Sequence, residues 1–224
     1  KPEMAIALTP FAALIGIRPA EEIYNLLKNL TPITKIIKIN VLDKLKIETQ
    51  AATAIKTIIS DLTSLDSNNV MTVFNQLILH NDNPMHYLFC QLHQQHPYDV
   101  GCFFAYFMNY VELKIGEAIF IEPNTIHAYL EGDIIECMAL SDNVVRLGLT
   151  KKYKDRATML AIADFIPRSI NYFFPTTEIT QMDSKNNISI TRYLSSKAEF
   201  KTTCIKVIKI IKLRYIIQLK MALY

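Results

Sequence analysis

The stretch NTIHAYLEGDIIECMALSDNVVRLGLT, Asn124 to Thr150, sets a histidine, several carboxylates, a cysteine and an arginine around one glycine turn. Glu131-Gly132 reads as a two-residue turn, with Gly132 supplying the positive φ that hairpin turns require. Opposed residues then pair Leu130 with Asp133, Tyr129 with Ile134 and His127 with Glu136. In that register His127 and Glu136 stand side by side on one sheet face. Such a pair is open to two readings. It is an ordinary His–Glu hydrogen bond on a solvated face, or a metal ligand beside a proton-transfer group. The apolar Ala128, Tyr129 and Leu130 after His127 argue against a fully exposed strand. Arg146 lies downstream in NVVRLGLT, another strand-like run, where an arginine calls for an anion or a carboxylate.

The surroundings of this stretch are of the same kind. From Asn109 to Leu140 short apolar runs are broken at KIGE, EPNT and EGD, the strand–turn–strand spacing of a sandwich or barrel. Upstream, residues 19 to about 96 change period. Ile23, Leu26, Leu27 and Leu30 recur at helical spacing behind Pro19, as do Ile55, Ile58, Ile59 and Leu62, then Val70, Val73, Phe74 and Leu77. One more helix is expected after Pro84. Beyond the quoted stretch RATMLAIADFI suggests a helix, NISITRYL and EFKTTCIKV two strands, and DSKNN a loop. The ending IKVIKIIKLRYIIQLKMALY alternates cations with Ile and Leu. It suits a terminal strand or helix packing by one face, or a membrane-surface helix.

Composition excludes several classes. The chain has 224 residues, half of them hydrophobic, and a net charge of +3, enough for a sizeable core and too little charge to predict a nucleic-acid partner. No uncharged apolar run approaches the roughly 18 residues that span a bilayer, and no signal peptide is visible. The four cysteines form no C-x-x-C pair and sit among apolar residues, as reduced thiols in the cytoplasm do. Other histidines carry less. His80 and His86 flank an NDNP loop, and His93 and His96 lie at a helix end, where dipole capping competes with metal binding. Lys1 stands where a start methionine would, so the chain reads as a fragment or a trimmed one.

HAYLEGDIIECMALSDNVVRLGLT resembles the signature of the type I phosphomannose isomerases, zinc enzymes of the cupin superfamily. KPEMAIALTPF at the start resembles a second motif of that family, and DVGCFFAYFMNYVELKIGEA the segment before the first. The likeness is strong over residues 1 to 19 and 98 to 166, and fades after about 207. It implies a mainly β fold with a helical insertion: a cupin-like jelly-roll barrel, with a second barrel left incomplete. The implied division is 1–18 and 98–175 for the catalytic cupin domain, 19–97 for a helical domain and 176–224 for a partial second cupin-like region.

The resemblance also implies chemistry. The family interconverts mannose 6-phosphate and fructose 6-phosphate, feeding GDP-mannose synthesis, and holds one zinc ion (Zn2+) through a Gln-x-His pair, a glutamate and a histidine. Matched by motif, Glu3 and His127 become metal ligands and Lys1 a substrate-pocket residue. Glu136 becomes a proton-transfer group near the metal, and Arg146 the active-site arginine. These residue types suit an isomerase. Zinc takes His nitrogen and Glu oxygen, a carboxylate carries a proton, and arginine matches a phosphate or an anionic intermediate. Two departures stand out. The Gln-x-His pair precedes Lys-Pro-Glu in the family, so at most two of four zinc ligands are expected here. Leu147 replaces a family alanine after the arginine. Little or no activity is expected of this chain alone. The competing expectations are a non-catalytic cupin-like sugar-phosphate-binding module and, more remotely, a membrane-associated protein acting through its basic tail.

Overall fold

In a computed structural model, the structure describes all residues except 80–81, 141–143, 184–187, 195–199, 208–211 and 220–224. Ten strands are described: β1 (Glu3–Ala7), β2 (Phe11–Ile17), β3 (Met108–Leu113), β4 (Ala118–Ile121), β5 (His127–Glu131), β6 (Ile134–Met138), β7 (Thr176–Asp183), β8 (Ile188–Leu194), β9 (Phe200–Val207) and β10 (Lys212–Leu219). Seven α-helices accompany them: α1 (Ala20–Leu27), α2 (Thr31–Thr34), α3 (Ile39–Asp43), α4 (Glu48–Thr63), α5 (Ser67–Ile78), α6 (His86–Gln95) and α7 (Arg156–Ile162). The strands form three antiparallel sheets, ordered β4-β1-β6, β3-β2-β5 and β10-β9-β8-β7.

Alternation along β1 and β2 explains the layering. Ala5 and Ala7 of β1 meet Phe11, Ala13 and Ile15 of β2 in one buried cluster with Val111, Leu113, Ile119, Ile121 and Phe173, so the two three-stranded sheets face each other as a jelly roll. The opposite face of β1, Met4 and Ile6, packs with Phe120 and Cys137 against Tyr193, Phe200 and Cys204 of the four-stranded sheet. The opposite face of β2, Leu14 and Ile17, joins the helical core of Ile23, Ile55, Ile58, Phe74 and Phe89. Both strands are thus buried on two sides, which is why MAIALTPFAALIGI carries almost no polar residue. The fold is sheets with a helical insertion, and the second β region is one four-stranded sheet rather than a closed barrel among the described residues.

The helical insertion matches its periodicity. The apolar stripes of α1, α4 and α5 are their buried faces, and α5 starts at an N-cap where Asp66 accepts from the Asn69 N–H at 2.9 Å. Arg18, 6% exposed where the chain leaves β2, donates to the Met108 and Ala105 carbonyls and so ties the insertion's entry to its exit. The His93 ring packs against Phe74, Phe89 and Tyr98 and its Nδ1 accepts from the Tyr98 N–H at 3.2 Å, which gives it a place in the helical packing. His80 lies outside the described residues, as do 184–187 of the DSKNN loop. All four cysteines are free thiols. The described part of the ending is a strand, β10, paired along its length with β9, and not a surface helix. Among the described residues no helix is long and apolar enough to cross a membrane.

The hairpin expected at Glu131-Gly132 is the main correction. β5 pairs with β2 and β6 pairs with β1, so the two strands lie in facing sheets and do not pair with each other. Gly132 does have the positive φ expected of it, 96°. It shapes an arch between sheets, stacked on the arch that joins β1 to β2. The Leu8 N–H donates to the Asp133 carbonyl at 2.9 Å, and the Asp133 N–H donates to Thr9 Oγ1 at 2.8 Å. A Cβ on Gly132 would run into the Pro10 carbonyl and the Phe11 backbone. The hairpin pattern and the arch pattern are locally the same. What selects the arch is that β1 and β2, each buried on both faces, recruit β6 and β5 separately.

Candidate functional site

The two facing sheets are closed at one end by the apolar cluster and diverge at the other into a cavity of about 720 Å³. Lys1, Glu3, His127, Glu136 and Arg146 all line it, so the structure brings the five residues singled out in the sequence to one place. They arrive from different directions. Glu3 opens β1, pairing with Met138 on one side and Ile121 on the other. It lies two residues before Ala5, on the inward face. Glu136 is opposite Ala5 in β6, also on that face. His127 and Tyr129 are opposite Ile15 and Ala13 in the facing sheet. His127 and Glu136 are therefore not neighbours within one sheet, as the hairpin register would have them. They share the cavity from opposite walls.

The actual pairings are His127 with Glu3 and Tyr129 with Glu136. His127 Nδ1 lies 2.9 Å from the Thr125 carbonyl, which can only accept, so Nδ1 carries a proton, and in the neutral ring Nε2 keeps its lone pair. Nε2 stands 3.6 Å from Glu3 Oε2, beyond hydrogen-bond length. Two ligands at about 2.1 Å from one tetrahedral ion would stand about 3.4 Å apart. A backbone carbonyl fixing the tautomer behind a bare nitrogen is also how metal-binding histidines are oriented. The Glu3 carboxyl is pushed above the usual range by burial, with His127 pulling it down and the neighbouring Glu136 pushing it up. The Glu3 carboxyl and the His127 Nε2, at the end of a partly buried pocket, are donors of the kind a divalent cation takes. Among the described residues no third His, Cys, Asp or Glu completes a metal-holding group with them.

Tyr129 is the residue the sequence reading missed. Its hydroxyl donates to Glu136 Oε1 at 2.8 Å, reaching across from the other sheet. Burial, then the Glu136 carboxylate, push the phenol far above its ordinary pKa, so it remains a donor. The signal was present: Tyr129 is two residues from His127 on one strand, hence on the same face. Arg146 does not lie in a strand. Residues 144–147 have no regular structure, because Asp155 donates its N–H to the Arg146 carbonyl at 2.8 Å and bends the chain into a loop. Its guanidinium has no hydrogen-bond or carboxylate partner among the described residues, and Lys152 lines the same cavity. The cavity thus has a carboxylate–imidazole wall and a cationic rim, a layout suited to an anionic, oxygen-rich ligand. Leu147 is buried in the helical core and also lines the cavity, so the larger side chain forms part of the cavity's apolar wall.

No protein-family model matches the chain. In sequence it is 43% identical over 182 residues to mannose-6-phosphate isomerase of Rattus norvegicus, covering 75% of this chain and 43% of that protein. It is 42% identical over 193 residues to the Homo sapiens mannose-6-phosphate isomerase, with coverage of 79% and 46%. A probable mannose-6-phosphate isomerase of Echinococcus multilocularis is 34% identical over 223 residues, 89% of this chain and 51% of that one. In structure it is similar to a zinc-bound mannose 6-phosphate isomerase with TM-score 0.75 and 25% identity, over 91% of this chain and 49% of that one. The Salmonella typhimurium enzyme bound to its substrate and zinc gives TM-score 0.74 and 26% identity, over 91% and 50%. The chain spans about half the length of the relatives it matches.

Proposed function

We infer that this chain is a member of the mannose-6-phosphate isomerase family and forms about half of a zinc-dependent aldose–ketose isomerase that interconverts mannose 6-phosphate and fructose 6-phosphate. The observation that carries this reading is the convergence of Glu3, His127, Tyr129, Glu136 and Arg146, from both jelly-roll sheets and one loop, on a single cavity. The jelly roll of residues 1–18 and 98–175 acts as the catalytic domain, 19–97 as a helical domain bracing it, and 176–224 as a further β region. The enzyme works in the cytoplasm, where its product enters mannose activation for glycosylation.

His127 Nε2 and Glu3 would hold the zinc, together with donors outside this pair. When bound, the ion supplies Lewis-acid stabilisation of negative charge on the sugar's C1 and C2 oxygens. The protein's own groups do the rest. Arg146, with Lys1 and Lys152 on the rim, binds the anionic sugar and turns its open-chain end toward the acids. Glu136 removes the proton from C2 of the aldose and returns it at C1, while the hydroxyl proton of O2 passes to O1, so that the C1 carbonyl becomes a hydroxyl and the C2 hydroxyl a carbonyl. Tyr129 fixes one Glu136 oxygen, so that the carboxylate is presented in one orientation.

Zinc content and interconversion of the two sugar phosphates, measured on this 224-residue chain and on the protein of its complete reading frame, test the reading. The expected result is weak zinc retention and little turnover by the chain alone, against full turnover by the complete protein. A complete protein without zinc-dependent turnover would leave a sugar-phosphate-binding module and sink the enzyme. Full turnover by the chain alone would refute the shared metal site.

A further inference from the structure

We propose that Asp99, which does not line the cavity, is the positioning residue that sets its cationic rim. The proposal rests on the reading of the cavity as an anionic-sugar site. Asp99 sits where α6 hands over to a 3₁₀ helix (Val100–Tyr106), and its side chain is only 7% exposed. One oxygen, Oδ1, accepts two backbone N–H groups from segments far apart in sequence, Gly101 at 2.7 Å and Leu149 at 3.0 Å. The other, Oδ2, receives Lys154 Nζ at 2.5 Å. One buried carboxylate therefore grips residues 149 and 154, the two sides of the cavity-lining Lys152, a short step beyond Arg146.

Regular structure does not hold this segment. Residues 144–154 contain no helix or strand, and the Asp155 N–H reaches only the Arg146 carbonyl. The path is also one the backbone would not choose. Leu149 has φ 53°, in the left-handed region that a branched side chain disfavours by about 1 kcal/mol or more. Gly148 has no room for a Cβ, because Asp99 Oδ1 and the Gly101 backbone occupy that space. A strained conformation persists only where its surroundings over-determine it, and here the buried carboxylate is that determinant. A charged acceptor is stronger than a neutral one, so Oδ1 holds the Gly101 and Leu149 amides together while Oδ2 separately anchors Lys154. Without it, Arg146 and Lys152 keep their charges and lose their common placement.

Amide hydrogen exchange and fructose 6-phosphate binding, on the wild-type chain, Asp99→Ala, Asp99→Asn, Lys154→Met and Arg146→Ala, test this. In Asp99→Ala the Leu149 amide should exchange about tenfold faster or more, and sugar-phosphate affinity should fall about tenfold or more. Asp99→Asn keeps an oxygen for both amides and should restore both readouts to within about threefold. Lys154→Met should leave Leu149 protected, and serves as the folded control if Asp99→Ala melts early. Arg146→Ala should lose affinity with Leu149 still protected, separating the cation from its support. Unchanged Leu149 exchange in Asp99→Ala, or no rescue by Asp99→Asn, overturns the proposal. If the wild-type chain and the complete protein both ignore fructose 6-phosphate, the functional reading fails while the exchange arm still decides the clamp.

Discussion

The Tyr129 hydroxyl donates to Glu136 Oε1 at 2.8 Å across the gap between two sheets that share no backbone hydrogen bond at this point. This contact replaces the His127–Glu136 pairing that a hairpin would have produced. It also divides the labour at the cavity: His127 is left to Glu3, and Glu136 is oriented by a phenol that burial keeps protonated.

Tyr129→Phe should therefore separate metal binding from proton transfer. The ring still packs edge-on against Phe11, so folding should be little affected. Glu136 is exposed toward the cavity and can turn to water once the hydroxyl is gone. On the proposed reading, zinc stoichiometry of the complete protein should stay at the wild-type value, while isomerase turnover falls about tenfold to a hundredfold. Metal analysis alongside steady-state kinetics checks this. Zinc lost together with activity would mean that Tyr129 supports the ligands and not Glu136.

Gly132→Ala tests the arch. The position has φ 96°, and an added methyl group meets the Pro10 carbonyl with no flexible side chain to move aside. Strain and lost packing between the two stacked arches together should cost about 2–4 kcal/mol. Urea unfolding of wild type and variant measures it. A cost below about 1 kcal/mol would be that of a free surface hairpin, and incompatible with stacked arches.

The elements were legible in the sequence wherever local periodicity decided them. Ile55, Ile58, Ile59 and Leu62 announce α4, and the breaks at Lys114–Glu117 and Glu122–Thr125 separate β3, β4 and β5. Pairing was not legible. Whether β6 binds β5 or β1 depends on partners more than a hundred residues away, which no local pattern around Gly132 encodes. The same holds for the site. The motif gave the residues, while the Thr125 carbonyl behind His127 and the Asp99 carboxylate behind Leu149 are contacts that only the folded chain creates. The segment around Arg146 reads as a strand because Val144, Val145, Leu147 and Leu149 look strand-like. Leu147 instead faces the helical core, and the backbone hydrogen bond from Asp155 ends any extension.

The buried thiol of Cys102 gives a test of the core between helices and jelly roll. Burial, reinforced by the Asp99 charge, pushes it up to about 12. At pH 8 almost none is thiolate, the reactive form. Alkylation followed by peptide mass spectrometry should leave Cys102 unlabelled over hours in the native chain and fully labelled in denaturant. Rapid native labelling of Cys102 would show that the Asp99 region opens readily.

Asp155 provides a pH-dependent test at the far end of the Arg146 loop. Its carboxylate caps α7, accepting from the Thr158 N–H at 2.9 Å and from the Thr158 hydroxyl at 2.7 Å. These bonds hold its pKa below the usual carboxylate range, the Thr158 N–H contributing most. A depressed folded-state pKa stabilises above the unfolded value, about 3.9, and the benefit disappears as pH falls through the lower folded value. Asp155→Ala should lower the melting temperature at pH 7 by a few degrees, and the gap to wild type should close as pH drops from about 4 toward 2. Thermal unfolding of both proteins across that range decides it. A gap that persists undiminished at pH 2 would mean that the Asp155 side chain acts through something other than its ionised cap.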